Sequence, residues 1–426
     1  MTSKIMSDRA IPLRLTRRLP FFYGWIILGC VCCAGFSRQG GAVSTLTIFV
    51  EPMTRHFGWS RTAISGAVSL GGLLAALTAP ALGRLLDRQG ARAVLCWAVL
   101  LTGLANTALS ATGSLLTFYI LFCIARMNFA GPFDLGIYGA VNNWFVTRRS
   151  LTTAIATLAQ MLGLVLLPLI AEFGIAHGGW RAGWLAVGFA VLAVGLVPTW
   201  LLLVGAPEEI GLVPDRHVAA ASVSIAPPAE PIFTRAEALH TPAFWLLTLF
   251  TLLTFPVQAG VSLHQAPFLI ERGLSPVIAA SAVSTFSLMS SASSLAFGFF
   301  PRSLPIRYAL GLIALLQCAG VLVLLGVHAP PQAYIGAGIF GAGIGGLMTM
   351  LPIAWADYYG RRSYGAIRGL ALTGQVLAQA VGPLLSGVLR DRTGSYNLPL
   401  ECFAAISALA ILAALAAWPP HVPSEK

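Results

Sequence analysis

Residues 83–92 read Gly-Arg-Leu-Leu-Asp-Arg-Gln-Gly-Ala-Arg, a charged stretch that lies between two long apolar runs. Its first glycine lets a helix end approach a neighbouring helix closely, and its second permits a tight turn. The carboxylate of Asp87 can pair with an arginine or with the N-terminus of a facing helix, which predicts a latch between helices. The residues of this latch are Gly83, Asp87, Arg88, Gly90 and Arg92. The alternative is a charged turn that only fixes orientation in a membrane.

The composition of the whole chain indicates which solvent surrounds those apolar runs. Among 426 residues, hydrophobic residues make up 57% and charged residues 10%, whereas a soluble protein has about 25% charged residues. So few charges cannot cover a water-exposed surface, and the lipid bilayer must be the solvent for most of the chain. The net charge of +11 does not indicate a nucleic-acid partner, because the basic residues lie in short stretches between apolar runs.

Apolar segments long enough to cross a bilayer recur along the chain. A membrane-spanning helix needs about 20 mostly apolar residues, and twelve segments qualify. They are 24–50, 62–82, 93–111, 115–141, 151–173, 182–204, 242–269, 276–300, 307–327, 332–356, 364–388 and 399–418. The first exceeds the apolar region of a secretory signal, which has about 7–15 residues. The sequence therefore predicts an all-α integral membrane protein of twelve transmembrane helices.

A polar, proline-rich linker divides these segments into two halves of six. The predicted parts are a cytoplasmic segment 1–20, a six-helix bundle 21–204, the cytoplasmic linker 205–241, a second bundle 242–418 and a cytoplasmic tail 419–426. Lys and Arg concentrate in the loops on the side of the N-terminus, so we expect both termini in the cytoplasm, most simply at a bacterial inner (plasma) membrane. Arg38 and Arg126 are assigned as the two basic residues within the segments.

The two halves repeat each other at a nearly constant spacing. Three matched pairs at an offset of 215 are Ser60 with Ser275, Gly83 with Gly298, and Arg92 with Arg307. Two six-helix halves in the same membrane orientation are parallel repeats, which can rock about a central site and expose it to each face in turn. This pattern favours a transporter that works by alternating access.

The motifs also carry a family resemblance. The stretch 83–92 resembles the loop motif Gly-x-x-x-Asp-Arg-x-Gly-x-Arg of the major facilitator superfamily, and Arg126 with Gly131 resembles its second motif. Within that superfamily the chain is most similar to the monocarboxylate and oxalate–formate antiporter branch. The residues that carry this similarity are Tyr23-Gly24-Trp25, Phe57-Gly58-Trp59-Ser60-Arg61, Trp144-Phe145, Arg148-Arg149, Pro242, Phe244-Trp245 and Gly394-Ser395-Tyr396.

The resemblance implies a monomeric carrier of small organic anions, monocarboxylates or dicarboxylates, moved with a proton or by exchange. Two departures stand out. The branch usually has a substrate-holding arginine in the eighth helix, whereas 276–300 contains no charged residue. In the second half, Arg302 stands where the first half has Asp87.

Charges within an apolar segment cost at least about 2.5–3.5 kcal/mol and usually face a partner or a wet cavity. Arg38 lies near the middle of the first segment. We expect it to bind an anionic group in place of the missing arginine, or else to lock two helices through a carbonyl or carboxylate. Arg126 and Asp134 share the fourth segment, which Pro132 can kink. Arg126 is assigned to substrate and Asp134 to proton coupling, with a purely structural network as the alternative.

Polar residues without a formal charge complete the candidate site. Tyr138, Gln258 and His264 are assigned to substrate binding, although a lone histidine or glutamine in a membrane more often bridges helices. Glycines 341, 343, 345 and 346 are assigned to helix packing. We expect no cofactor, no metal and no catalytic residue, hence no enzyme. The alternatives to anion transport are export of amphipathic drugs or metabolites and, more remotely, a membrane receptor that does not transport.

Overall fold

The computed structural model describes residues 10–215, 231–300 and 303–421. Arg302 and parts of the predicted terminal segments and linker lie outside these residues. The helices before the linker are α1 Ala10–Arg18, α2 Gly24–Arg38, α3 Val43–Phe57, α4 Arg61–Leu109, α5 Leu115–Ala130, α6 Pro132–Trp144, α7 Arg149–Val191 and α8 Val197–Leu201. Those after it are α9 Arg235–Leu239, α10 Pro242–Glu271, α11 Pro276–Gly298, α12 Ile306–Leu325, α13 Pro330–Tyr359, α14 Tyr364–Thr393 and α15 Asn397–Ala416.

Ten helical stretches in the described residues are long and apolar enough to cross a membrane. Two of them, Ala63–Leu109 with 47 residues and Arg149–Leu201 with 53, are each long enough for two crossings and have a break in the helical backbone between the two. In α4 the break is at Gly90, with φ 79° and ψ 165°, and in α7 it is at Gly178 and Gly179, where Gly179 has φ 72°. Dividing each of these stretches at its break gives the predicted twelve, and the prediction of an all-α membrane protein is confirmed.

Large apolar side chains on the outside of the helices agree with a lipid solvent. Examples of such exposed side chains are Leu77, Phe173, Phe189, Val277, Leu288 and Leu384. Monomeric soluble proteins rarely expose large areas of apolar surface. In a bilayer it contacts acyl chains, as the composition predicted.

Two segments predicted as continuous helices are interrupted. The first turns through Gln39–Gly41, after which Ala42 is extended, so Arg38 is the last residue of α2. A Cβ on Gly41 would overlap the Ala125 carbonyl, so this turn packs closely on α5. The fourth segment stops at Gly131, which has φ −115° and ψ −87°. Pro132 then starts a new helix, α6, because proline lacks an N–H and is favoured at a first helical position.

Contacts divide the chain into two compact units. The first comprises 1–230 with 361–373, and the second comprises 231–360 with 374–426. The boundary therefore falls inside α14, whose first ten residues, Tyr364 to Thr373, pack with the first unit. The core of the first unit includes the stacked rings of Phe49 and Trp184, 3.7 Å apart.

The second unit has a core of apolar side chains from α10 to α13 and α15. Within it, α13 is held close to its neighbours by glycine. A Cβ on Gly341 or Gly345 would overlap a backbone carbonyl of α11, and one on Gly343 would lie 2.9 Å from Gln317 Cγ in α12. The geometry matches the helix-packing interpretation of this glycine-rich run.

Gly345→Ala is expected to destabilise the second unit, because the new methyl group would overlap the Ser290 carbonyl oxygen. Overpacking of this kind costs about 1–3 kcal/mol. Thermal unfolding of the purified protein in detergent measures the effect. Gly338→Ala in the same helix is the control, since its Cβ would have its nearest contact at 3.5 Å. Equal melting temperatures for the two variants would contradict the close approach.

Candidate functional site

Asp134 lies between two arginines in the first unit. Its Oδ1 is 3.4 Å from Arg38 Nη2, and its Oδ2 is 3.4 Å from Arg368 Nη2. Both helix breaks contribute to this arrangement. The break at Gly131 puts Asp134 in the first turn of α6, where the helix dipole favours a carboxylate. The turn after Arg38 ends α2 at that residue.

The sequence pattern did not indicate a role for Arg368. The assignment of only Arg38 and Arg126 within the segments was wrong, because the Arg368 side chain is also buried, with 2% of its surface exposed. It is the fifth residue of α14, about 6 Å from the helix start, so its position suggested the membrane rim. The start of α14 is itself buried, however, with Tyr364 3% exposed and Ile367 1% exposed.

Arg38 has two further partners. Its Nε donates to the Phe129 carbonyl oxygen at 2.9 Å, and its Nη1 donates to Gln160 Oε1 at 2.5 Å. Gln160 in turn donates through Nε2 to the Tyr138 hydroxyl at 3.3 Å. Tyr138, a predicted substrate residue, is therefore joined to Arg38 through Gln160.

Arg126 reaches the same group through the ring of Phe129. The Cζ atoms of Arg126 and Arg38 are each 4.6 Å from the ring centroid. Arg126 Nη1 donates to the Gly41 carbonyl at 3.4 Å. Its Nε is buried and has no hydrogen-bond partner among the described residues. Arg126 and Asp134 are thus not paired with each other but belong to one group.

We call Arg38, Arg126, Asp134 and Arg368 the arginine cluster. Three guanidinium groups and one carboxylate give these four residues a net charge of +2. The carbonyl and carboxylate partners of Arg38 are those that the structural alternative required, so the pairing alone does not decide between the two interpretations. The surplus positive charge is a separate feature, because unbalanced buried charge costs several kcal/mol per ion unless water or an anion offsets it. The cluster is therefore suited chemically to hold an anion.

Gln258 and His264, also predicted to bind substrate, lie in the second unit and have partners there. Gln258 Oε1 accepts from Gln379 Nε2 at 3.2 Å. His264 Nδ1 is 3.2 Å from the Tyr396 hydroxyl, and its Nε2 is 3.3 Å from the Pro383 carbonyl oxygen. These contacts are typical of residues that bridge helices. In the described residues, no group of three or more His, Cys, Asp or Glu is placed to hold a metal ion.

The charged stretch 83–92 contacts the start of α14. Asp87 Oδ1 accepts from the Gly365 amide at 2.8 Å, and Oδ2 accepts from the Ala366 amide at 2.7 Å. Of the two predicted partners, an arginine or a helix N-terminus, the structure has the second. A Cβ on Gly83 would overlap the Gly365 carbonyl, so both helices need glycine at the crossing.

Two other residues of the predicted latch have different environments. Arg92 Nη2 donates to the Trp200 carbonyl at 2.8 Å. Arg88 is exposed. The contact with α14 is therefore made by Asp87 and allowed by Gly83, while Gly90 provides the turn between the two halves of α4.

The sequence comparison decides the family. The family model described as Major Facilitator Superfamily matches residues 27–383. The chain belongs to the major facilitator superfamily. This match confirms the predicted resemblance to the superfamily. Because proteins of this family are transporters and not enzymes, it also confirms the prediction that the chain is not an enzyme.

Curated relatives of two kinds are similar to this member of the superfamily. The membrane sensor protein UhpC of Salmonella typhimurium is 28% identical over 358 residues, which is 80% of each chain. Monocarboxylate transporter 11 of Mus musculus is 25% identical over 394 residues, covering 88% of this chain and 83% of the relative. The latter agrees with the resemblance to the monocarboxylate branch.

Solved structures show the same fold. The proton:xylose symporter XylE bound to 6-bromo-6-deoxy-D-glucose matches with a TM-score of 0.72 at 14% identity, covering 92% of this chain and 94% of that one. The human organic anion transporter MFSD10 matches with a TM-score of 0.69 at 16% identity, covering 92% and 99%. At these identities the likeness concerns the fold alone.

Asp87→Asn is expected to loosen the start of α14, because the amide side chain has no negative charge and only one acceptor oxygen for the two backbone amides. Charge-assisted hydrogen bonds of this type are worth about 1.5–3 kcal/mol. Hydrogen exchange of the peptide 361–368 measures the change, with faster exchange expected at Gly365 and Ala366. Turnover should also slow more than substrate binding weakens.

Glu172→Gln makes the same chemical change at another exposed position and serves as the control. Exchange at the start of α14 that is the same in Asp87→Asn and in the control would show that the carboxylate does not hold this helix.

Proposed function

We propose that this superfamily member is a secondary active transporter of a small organic anion, a monocarboxylate or dicarboxylate, working by alternating access. The anion binds at the arginine cluster, and a proton moves with it or a second anion is exchanged for it. The proposed location is the bacterial inner (plasma) membrane, with both termini in the cytoplasm.

The observation that carries this proposal is the surplus charge of the arginine cluster. A structural ion-pair network is best served by equal numbers of positive and negative groups, because each unbalanced charge retains its desolvation cost. Here Asp134 contacts both Arg38 and Arg368, while Arg126 contacts a ring and a carbonyl. A bound carboxylate would supply the missing counter-charge and would accept paired hydrogen bonds from a guanidinium group.

The similarity to monocarboxylate transporter 11 supports the same substrate class. The absence of charge from 276–300 is no obstacle, because the arginines of the cluster come from α2, α5 and α14. Arg38 would then take the role that the resemblance assigns to the eighth helix. Export of amphipathic compounds, the other transport alternative, has no comparable observation in its favour.

Asp134 is the proposed proton carrier. While ionised, it occupies donors of both Arg38 and Arg368. A proton on its carboxyl would weaken both contacts and free those donors for the substrate. Proton and anion binding would therefore favour each other, which is the condition for symport.

Arg38→Ala is expected to reduce anion uptake into proteoliposomes by at least about 100-fold, because a charge-paired donor whose side chain is only 13% exposed is lost. Arg55→Ala is the control, since the Arg55 side chain is 78% exposed. Both variants should insert and purify in similar amounts. Undiminished uptake by Arg38→Ala would remove Arg38 from the binding site.

Asp134→Asn is expected to remove the pH dependence of uptake. The asparagine side chain keeps the size of aspartic acid but cannot exchange a proton. Wild-type uptake should rise as the external pH falls, while uptake by the variant stays flat across the same range. An unchanged pH profile in the variant would exclude Asp134 as the proton carrier.

A membrane sensor is the second candidate, because UhpC is similar over 80% of both chains. A sensor would bind the anion without moving it. Binding measured by a ligand-induced rise in melting temperature, together with zero uptake in the same preparation, would favour the sensor over the transporter.

A further inference from the structure

The ring of Phe129 lies close to two positive charges of the arginine cluster, those of Arg38 and Arg126. The Cζ atoms of Arg38 and Arg126 are each 4.6 Å from the centroid of its ring, so they are separated by no more than twice that distance. Attraction between a guanidinium group and an aromatic face is strongest where water is excluded. The ring therefore offsets part of the repulsion between two like charges and keeps both near one place.

Backbone contacts fix the same arrangement. Arg38 Nε donates to the carbonyl oxygen of Phe129 itself. Arg126 comes from the preceding turn of α5, three residues earlier, and donates to Gly41 in the turn that follows Arg38. Both guanidinium groups are thus tied to the helix end that carries the ring, and small rotations of the side chains cannot separate them freely.

Arg126 differs from Arg38 in what it contacts. Arg38 donates to a carbonyl, to Gln160 and to Asp134. Arg126 donates to one carbonyl at the long distance of 3.4 Å, and its buried Nε has no hydrogen-bond partner among the described residues. A buried guanidinium donor without an acceptor is costly, so this side of Phe129 is suited to receive an anionic group.

We infer that the substrate is a small dicarboxylate, held at two points by Arg38 and Arg126, and that Phe129 sets the distance between those points. This inference rests on the proposed anion transport and narrows its substrate class. Whether Asp134 is ionised or protonated, two carboxylates offset one more positive charge of the cluster than a single carboxylate does. Phe129 is a positioning residue, because it acts through the two arginines.

The test is competition for binding to the purified full chain at neutral pH. Two pairs of probes have equal carbon number and differ in the second carboxylate: succinate with butyrate, and malonate with propionate. A third pair, maleate and fumarate, differs in the distance between its two carboxylates. We expect each dicarboxylate to bind at least about tenfold more tightly than its monocarboxylate, since a second charge-assisted contact is made. Maleate and fumarate should differ. Equal binding of the two classes would overturn the inference.

Phe129→Leu should reduce the preference for dicarboxylates over monocarboxylates to less than about threefold. The main effect should be weaker dicarboxylate binding, because the arginines lose the ring that spaces them. Phe129→Tyr keeps the aromatic face and should restore the discrimination. Phe189→Leu, at a lipid-exposed ring of the same unit, is the control. Discrimination that survives in a folded Phe129→Leu variant would exclude the spacing role.

Two further outcomes separate the inference from the function on which it rests. Tighter binding of a phosphate monoester such as glycerol 3-phosphate than of any dicarboxylate would place both charges on one group and would contradict the two-point arrangement. Binding of neither carboxylate class would refute the proposed anion transport itself, whereas strong binding of monocarboxylates alone would refute only the dicarboxylate inference.

Discussion

A guanidinium group inside a membrane protein requires a counter-charge, and Asp134 provides it for two arginines. Arg38 and Arg368 come from helices that are far apart in the sequence, and each contacts one oxygen of the same carboxylate. Without Asp134, both would be buried charges whose removal from water is not offset. The interruptions in the first and fourth segments help to meet this requirement, since they place Arg38 at a helix end and Asp134 in a first turn.

The beginning of α14 is the element on which these contacts converge. Asp87 accepts hydrogen bonds from its first amides, Arg368 pairs with Asp134 one turn later, and Thr373 Oγ1 donates to the Ala76 carbonyl at 2.8 Å. All three lie within ten residues that pack with the first unit. A change in the charge of the arginine cluster would therefore act on the same helix that Asp87 holds by its N-terminus. In the proposed mechanism, α14 therefore connects the substrate site, the proton carrier and the loop motif.

The sequence was sufficient for the fold because the length and spacing of apolar segments are imposed by the bilayer. The helix breaks were harder to predict from the sequence. Gly40 and Gly41 lie inside an apolar run whose average hydropathy is high, and only their packing on α5 and its surroundings shows why the chain turns there. Pro132 was recognised as a possible kink, but its consequence for Asp134 depends on a helix starting at that residue.

The candidate site was predicted in part. Arg38, Arg126 and Asp134 were identified because a charge in an apolar segment is rare. Arg368 was not, because a residue near a segment end has the same sequence signature whether it faces water or the protein interior. Phe129 and Gln160 carry no signal of their own among many aromatic and amide residues, and their relevance comes only from the arginines they contact.

The most direct test of the central claim is an experimental density map of the protein saturated with a small dicarboxylate. We expect density for the anion within hydrogen-bonding distance of Arg38 and Arg126, beside the ring of Phe129. A map in which the anion lies elsewhere, with the arginines contacting only protein groups, would contradict the claim that surplus positive charge makes this the binding site.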